Sequence, residues 1–255
     1  MKIVVNPEYE YLREWIERIP SFFEKDGRII HKARNILKVF SVDNGLDINI
    51  KRYKKPHFFN RIVYSFFRKS KAARSYSNTL VILEKGFEAA TAIAYIEIKE
   101  KGLFSDSYFV SIQCHHVEEI RGYCEGSIAG REELIGAFAK YSAMLHDSGI
   151  YHLDYSPGNI LFRMENGSYR FYLVDVNRMK FMPVGIDAGC RSFARLSRSD
   201  EICRYIGCIY ARSRKIPFNE EKAIRLIIKY RNQFFRRKAR MNSVKRIFKP
   251  KRPIV

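Results

Sequence analysis

The first part of the chain changes from one spacing of apolar residues to another. Residues 7–18 place apolar side chains three and four apart, which predicts a short helix that Pro20 ends. Residues 28–53 form three short β-branched or alternating runs, RIIHKA, NILKVFSV and LDINIKRY, with the turn-forming pair Asn44-Gly45 between the last two. This pattern predicts an antiparallel meander.

A helix and two further strands are predicted before residue 118. The helical stretch covers 68–85 and is closed by Gly86. The runs ATAIAYIEIKEKG and SYFVSIQCHHV then predict two strands, separated by a glycine-containing turn at 101–107. The first part of the chain is therefore predicted to be a sheet with one embedded helix.

Helical spacing dominates after Gly130. Leu134, Phe138, Tyr141 and Leu145 recur along one helix face, and two short β-like runs, NILFRM and YRFYLVDV, follow before a mostly helical remainder. We therefore predict an α+β fold with a small antiparallel-sheet lobe over 1–117 and a larger, mostly helical lobe over 118–255.

Composition and charge limit the kinds of partner that the chain is expected to bind. The chain has 255 residues, 46% of them hydrophobic, so it can bury a large core, and a net charge of +20 predicts attraction to phosphate groups. Residues 191–255 hold 20 Lys and Arg but only 4 Asp and Glu, so the surplus is concentrated there. Asn219 is predicted to cap a helix in this basic region, whose tail KRIFKPKRPIV is predicted to fray.

A location in the cytosol is expected, because the sequence shows neither a membrane-spanning run nor a secretory signal. No apolar run approaches the roughly 20 residues that cross a bilayer, and Glu8 and Glu10 come too early for a secretory signal. The five cysteines include no C-x-x-C pair, which favours reduced thiols over disulfides or a zinc site.

The segment GIYHLDYSPGNILF carries the most informative chemistry. His152, Asp154 and Asn159 stand in the arrangement H-x-D-x-x-x-x-N, which resembles the catalytic loop of the protein-kinase-like superfamily. Asp175 follows at the end of a predicted strand, where kinase-like enzymes have a metal-binding Asp. The resemblance implies that Asp154 accepts the proton of the acceptor hydroxyl, that Asn159 and Asp175 bind Mg²⁺, and that His152 braces the loop.

A lysine in a V-A-I-K-like strand completes the kinase pattern. Lys51 ends Ile48-Asn49-Ile50-Lys51 and is the predicted partner of the α- and β-phosphates of ATP. The chain has no G-x-G-x-x-G, so we assign phosphate covering to residues 25–35, with Lys32 and Arg34. Residues 68–83 of the helix that should supply a Glu partner for Lys51 contain no acid, so that partner is either missing or replaced by Glu84 or Glu88.

The sequence around these motifs resembles that of one kinase-like family. The runs RNILKVF, INIKRYKKP, NRIVYSFFRKSKAARSY, GIYHLDYSPGNILF and LVDVNRM together look like the lipopolysaccharide core kinase family, over roughly residues 25–200. That resemblance implies ATP- and Mg²⁺-dependent phosphorylation of a Kdo or heptose hydroxyl in the inner core. The implied acceptor is the lipopolysaccharide core or a lipid A-Kdo precursor at the cytoplasmic face of the inner membrane.

Membrane contact and two rival functions remain open from the sequence. The basic C-terminal region is expected to bind an anionic membrane surface peripherally, and the aromatic-basic stretch RYKKPHFF could bind either membrane or acceptor. Nucleic acid is not an expected partner. The alternatives are an inactive kinase-like module that binds membrane or nucleic acid, and a kinase for a protein, an RNA-associated factor or another small molecule.

Overall fold

The computed structural model of the chain describes residues 1–42 and 45–247, the side chains of 244–247 excepted. It separates into two compact units, the described part of Met1–Val117 with Tyr172–Met179, and Glu118–Phe171 with the described residues from Lys180 onward. The predicted division at residue 117 assigned 172–179 to the second unit. The structure groups this segment with the first unit, where the carbonyls of Val176 and Asn177 accept hydrogen bonds from Asn78 and Arg74.

The described residues of the first unit form three α-helices and seven strands along its continuous part. They are β1 Lys2–Val5, α1 Arg13–Phe22, β2 Arg28–Lys32, β3 Ile36–Val42, β4 Leu46–Tyr53, α2 Phe58–Phe66, α3 Lys71–Glu84, β6 Ala92–Glu100 and β7 Leu103–Ile112, with the two-residue strand β5 Glu88–Ala89 between α3 and β6. Six strands form one antiparallel sheet in the order β1-β6-β7-β4-β3-β2. The predicted meander over 28–53 and the two later strands are confirmed, although Asn44 lies outside the described residues.

Alternation along β4 explains how the sheet positions Lys51. Ile48 and Ile50 are fully buried against α1, and neighbouring residues on a strand face opposite sides. Lys51 therefore leaves the sheet on the face opposite to these two isoleucines.

The sequence predicted that Pro20 ends the first helix, and this prediction is wrong. A 3₁₀ turn covers Pro7–Leu12, and α1 then runs through Pro20 to Phe22. Proline within a helix costs about 3 kcal/mol, but burying an Ile or Phe side chain contributes roughly 1.5–3 kcal/mol. Ile16, Ile19 and Phe23 are all fully buried beneath the sheet, so packing outweighs the missing hydrogen bond.

The second unit is built mainly from helices. Its elements are β8 Glu118–Glu119, α4 Glu132–Asp147, β9 Ile150–His152, β10 Ile160–Glu165, the first part of β11 Ser168–Leu173, the later part of β12 Met179–Phe181, α5 Ile186–Ser192, α6 Asp200–Ser213 and α7 Glu220–Ile247. The helices predicted after residues 130 and 219 are confirmed, and Asn219 caps α7 by accepting a hydrogen bond from the Lys222 N–H. The tail from residue 248 lies outside the described residues.

Phe138 of α4 occupies the centre of the second unit. Its fully buried ring packs against Tyr155, Phe171 and Phe193. Among the residues that the structure describes, no helix is both long and apolar enough to span a bilayer.

Candidate active site

Lys51 and Asp175 form an ion pair in the first unit. Lys51 Nζ lies 2.6 Å from Asp175 Oδ1, and the two side chains are 12% and 32% exposed. Lys51 is fixed by the pairing of β4 with β3 and β7, and Asp175 follows β11 by two residues. A lysine and a carboxylate that lie far apart in sequence therefore meet at one place.

The backbone at Asp175 takes a conformation that few side chains favour. Its φ is +54°, in the left-handed region, which costs a non-glycine residue of order 1 kcal/mol. Asn177 Nδ2 donates to Asp175 Oδ1 at 2.6 Å, while α3 supplies two further donors, Asn78 Nδ2 to the Val176 carbonyl at 2.7 Å and Arg74 Nε to the Asn177 carbonyl at 3.1 Å. Since Arg74 and Asn78 are one turn apart, a single helix face holds the strained segment.

The same segment offers oxygen atoms suited to a hard cation. Asn177 Oδ1 is buried and accepts no hydrogen bond within the described part of the chain. Mg²⁺ is usually bound through one or two carboxylates, with waters and substrate phosphates completing its shell. Asp175 and the oxygen of Asn177 fit such a site, although the described residues contain no cluster of three or more His, Cys, Asp or Glu side chains.

Asp154 lies in a loop of the second unit whose backbone is held from both sides. The Asp154 N–H donates to His152 Nδ1 at 3.0 Å, and Asn159 Nδ2 donates to the Asp154 carbonyl at 2.8 Å. The Asp154 carboxylate forms an ion pair with the Arg195 guanidinium. His152 and Asn159 therefore fix the backbone, while Arg195 orients the carboxylate.

Tyr155 anchors this loop on α4. Its side chain is buried, its hydroxyl lies 2.8 Å from Ser142 Oγ, and its ring stacks on Phe138. Burial raises the pKa of Tyr155 above its ordinary value, so the hydroxyl keeps the proton it can share with Ser142 even at alkaline pH. Asp154 is therefore adjacent to one of the most firmly packed residues of the second unit.

A groove of about 410 Å³ opens beside the loop. Tyr151, Tyr230 and Phe234 contribute aromatic surface, while Arg195 and Arg237 contribute positive charge. Flat rings together with guanidinium groups suit a ligand that has both apolar ring faces and anionic substituents.

A second, strongly basic pocket of about 310 Å³ lies within the first unit and is called the cationic pocket below. Its lining contains seven Lys or Arg residues and no Asp or Glu. The seven are Arg34, Lys54, Lys55, Arg68, Lys71, Arg74 and Arg178.

Lys71 should lose its proton near pH 8 rather than above pH 10. Burial and then the neighbouring cations Arg34, Arg178 and Arg74 lower its pKa to about 8, because each disfavours the charged form. Since only the neutral amine reacts, acetylation of Lys71 by acetic anhydride should rise through about pH 8, as followed by peptide mass spectrometry. In the unfolded chain the same inflection should move to about pH 10.4. Equal inflections in both states would contradict the assignment.

A protein-family model identifies the family of the chain. The model described as the lipopolysaccharide kinase (Kdo/WaaP) family matches residues 22–230. The chain belongs to this lipopolysaccharide kinase family. The resemblance found in the sequence is confirmed and extends beyond residue 200. Membership makes the protein a kinase, and hence a phosphotransferase.

One solved structure supports the fold. The kinase is similar to "WaaP in complex with acyl carrier protein", with 15% identity, a TM-score of 0.60, and coverage of 94% of this chain and 99% of that one. It is less similar to the MAP kinase LmaMPK10 from Leishmania major, with 15% identity, a TM-score of 0.41, and coverage of 79% and 60%. The predicted α+β, protein-kinase-like fold is confirmed. None of the curated proteins matches the chain.

The structure of this lipopolysaccharide kinase places the predicted residues in separate groups. Lys51 and Asp175 meet in the first unit, whereas His152, Asp154 and Asn159 are linked in the second. The acid that contacts Lys51 is thus Asp175. Helix α3 contributes hydrogen-bond donors to the Asp175 segment, and a further partner at Glu84 or Glu88 stays a prediction.

Two predicted phosphate-covering residues differ in their surroundings. Lys32 is exposed at the end of β2, whereas Arg34 follows it and lines the cationic pocket. Sequence motifs missed Asn177, which stands where the D-F-G pattern has glycine, and Arg195, which is 41 positions from Asp154 in the chain. The one signal for Asn177 is that the sequence reads Asp175-Val176-Asn177 where kinases have D-F-G. No spacing rule indicates Arg195.

Proposed function

We propose that this kinase transfers the γ-phosphate of ATP, with Mg²⁺, to a hydroxyl of Kdo or heptose in the lipopolysaccharide inner core. The observation that supports it best is the Lys51–Asp175 ion pair, held by Asn177 and α3. A partly buried lysine next to a carboxylate in a strained backbone matches the need to hold nucleotide phosphates and a cation together. The proposed location is the cytoplasmic face of the inner membrane.

Each residue then has a distinct role. Lys51 binds the α- and β-phosphates, and Lys32 and Arg34 approach the phosphates from the end of β2 and the turn after it. Asp175 and Asn159 bind Mg²⁺, with the oxygen of Asn177 available nearby. Bound Mg²⁺ would neutralise negative charge that develops on the phosphate oxygens.

Asp154 is the proposed acceptor of the hydroxyl proton. A general base must reach that proton within hydrogen-bonding distance, so a backbone fixed by His152 and Asn159 is an advantage. Arg195 is a positioning residue, because its guanidinium orients the Asp154 carboxylate. An acceptor hydroxyl would have to compete with this guanidinium for the carboxylate oxygen.

The groove beside Asp154 is the proposed acceptor site. Phe234→Ala and Arg237→Gln should each raise the KM for acceptor about tenfold, roughly 1.4 kcal/mol, with a smaller change in kcat. Phe234 lines the groove, whereas its neighbour Phe235 packs on Arg198. Phe235→Ala and Arg236→Gln are therefore matched controls in steady-state kinetics. Equal KM values for variants and controls would remove the groove from the acceptor site.

Mass spectrometry of lipopolysaccharide tests the function directly. Cells that lack this chain should have an inner core that is lighter by one phosphate, and the parent gene should restore it whereas the Asp154→Asn gene should not. Unchanged lipopolysaccharide, with phosphate transferred to a protein or small molecule instead, would favour another acceptor. Absence of both transfer and Mg²⁺-dependent ATP binding would favour an inactive binding module.

A further inference from the structure

Helix α2 presents its apolar half to solvent. At 3.6 residues per turn, its apolar side chains share one half of the helix. They are Phe58, Phe59, Ile62, Val63 and Phe66, continued by Phe67 at the C-terminal end. Phe59 and Phe67 are each 81% exposed, and α2 has no buried residue at all.

The polar half of α2 makes the contacts with the rest of the first unit. Arg61 Nε donates to the Phe104 carbonyl at 2.7 Å, and Ser65 Oγ accepts from the Phe104 N–H at 2.8 Å. The Tyr64 ring packs 5.5 Å from the Phe104 ring. The orientation of α2 is therefore the reverse of an ordinary surface helix, and these contacts with β7 hold its phenylalanines outward.

Positive charge surrounds this apolar surface. Residues 51–74 contain nine Lys or Arg residues and no Asp or Glu. The cationic pocket is next to α2, since Asn60 and Tyr64 of the helix line it together with Lys54 and Arg68 from the flanking segments. Exposed aromatic rings beside a concave cluster of cations are complementary to a surface with apolar material below negative headgroups.

We propose that α2 inserts its phenylalanines into an anionic lipid monolayer while Lys54 and Arg68, the cations of the cationic pocket that flank the helix, bind the phosphate of a lipid headgroup and leave Arg34 to the nucleotide. A dissolved phosphate would be bound by the cations alone and would leave the four phenylalanines exposed. A bound phosphate would also neutralise the repulsion among the cations around Lys71. The lipid surface accounts for both the apolar half of α2 and the pocket.

This surface includes Phe58 and Phe59 of the stretch RYKKPHFF and differs from the basic C-terminal region, which the sequence also indicated for membrane contact. Helix α7 buries its apolar side chains Ala223, Ile227 and Tyr230. Met241 is the single large apolar side chain exposed on its described part. Helix α7 can supply charge but little to insert, whereas α2 supplies both. The inference rests on the proposed function only in taking the acceptor to be a membrane lipid.

Co-sedimentation with lipid vesicles tests the insertion of α2. The full chain should sediment with vesicles of phosphatidylglycerol and phosphatidylethanolamine at a ratio of about 3:7, and much less with phosphatidylcholine vesicles. Phe59→Ser with Phe67→Ser should weaken binding about tenfold or more, because both rings leave the acyl region. Ile216→Ser is the control, since Ile216 is an equally exposed apolar residue of the second unit, at 83%.

Charge variants test the headgroup site. Each cation near an anionic surface accounts for about fivefold in binding, so Lys54→Gln with Arg68→Gln should cost about 25-fold. Lys25→Gln with Lys85→Gln removes the same charge from exposed positions of the first unit outside the pocket, and should cost clearly less. Binding should also weaken as salt rises.

Three results would overturn the inference: phenylalanine variants that bind like the parent, equal losses for pocket and control charge pairs, or no vesicle binding by a parent that instead binds an acidic protein. Vesicle binding needs no ATP, so it stays measurable if phosphoryl transfer fails. Conversely, parental transfer to detergent-dispersed acceptor without vesicle binding would leave the proposed function standing and reject the α2 surface.

Discussion

Asp154→Asn should lower phosphoryl transfer at least about 100-fold while leaving MgATP binding close to that of the parent. A positioned general base contributes roughly 100-fold to 10,000-fold, and an amide cannot accept the hydroxyl proton. The substitution preserves size, and the Asp154 N–H and carbonyl can keep their bonds to His152 and Asn159. Transfer from radiolabelled ATP and the rise of Tm with MgATP measure the two effects.

Arg195→Gln separates the loss of the base from the loss of its ion pair. The Arg195 and Asp154 side chains are partly exposed, so their ion pair contributes only about 0–1 kcal/mol to stability, and Tm should fall by no more than about 4 °C in either variant. Arg195→Gln keeps the carboxylate and should retain far more transfer than Asp154→Asn. Transfer by Asp154→Asn within tenfold of the parent would contradict the role of Asp154 as base.

The sequence indicated the parts of the site that are governed by local pattern. Alternation in the run LDINIKRY was enough to place Lys51 on a strand, and the motif from His152 to Asn159 was enough to indicate the loop, because each depends on residues close in the chain. The partner of Lys51 was missed because it depends on a distant segment. Arg74 and Asn78 hold that segment through backbone carbonyls, which have no sequence signal.

Packing also decided features that propensity alone predicted wrongly. Pro20 is a helix breaker by local rules, yet the burial of Ile16 and Ile19 carries α1 past it. Helix α2 was not predicted, because its first phenylalanines belong to the basic stretch RYKKPHFF, which indicated a binding surface rather than a helix. Only the contacts of Arg61 and Ser65 show which half of the helix faces the sheet.

Asp175→Asn should abolish the Mg²⁺-dependent part of ATP binding and reduce transfer by about 100-fold or more. The carboxylate is the one charged oxygen ligand proposed for the cation, and it is also the partner of Lys51, at 2.6 Å. Asparagine is the right replacement because it tolerates a positive φ better than alanine, so the backbone at +54° is kept. An alanine variant would confound loss of the ligand with backbone strain.

The measurement is the Tm rise with ATP, with and without Mg²⁺, and it has a close control in Asp106→Asn. Asp106 also pairs with a cation of β4, Arg52, but Arg52 and Lys51 are neighbours on a strand and leave it on opposite faces. Both variants lose an ion pair and a few degrees of Tm, whereas only Asp175→Asn should lose the extra stabilisation by Mg²⁺. If that extra stabilisation survives in Asp175→Asn, then Asp175 does not bind the cation, and the Lys51–Asp175 pair is a structural contact of the sheet.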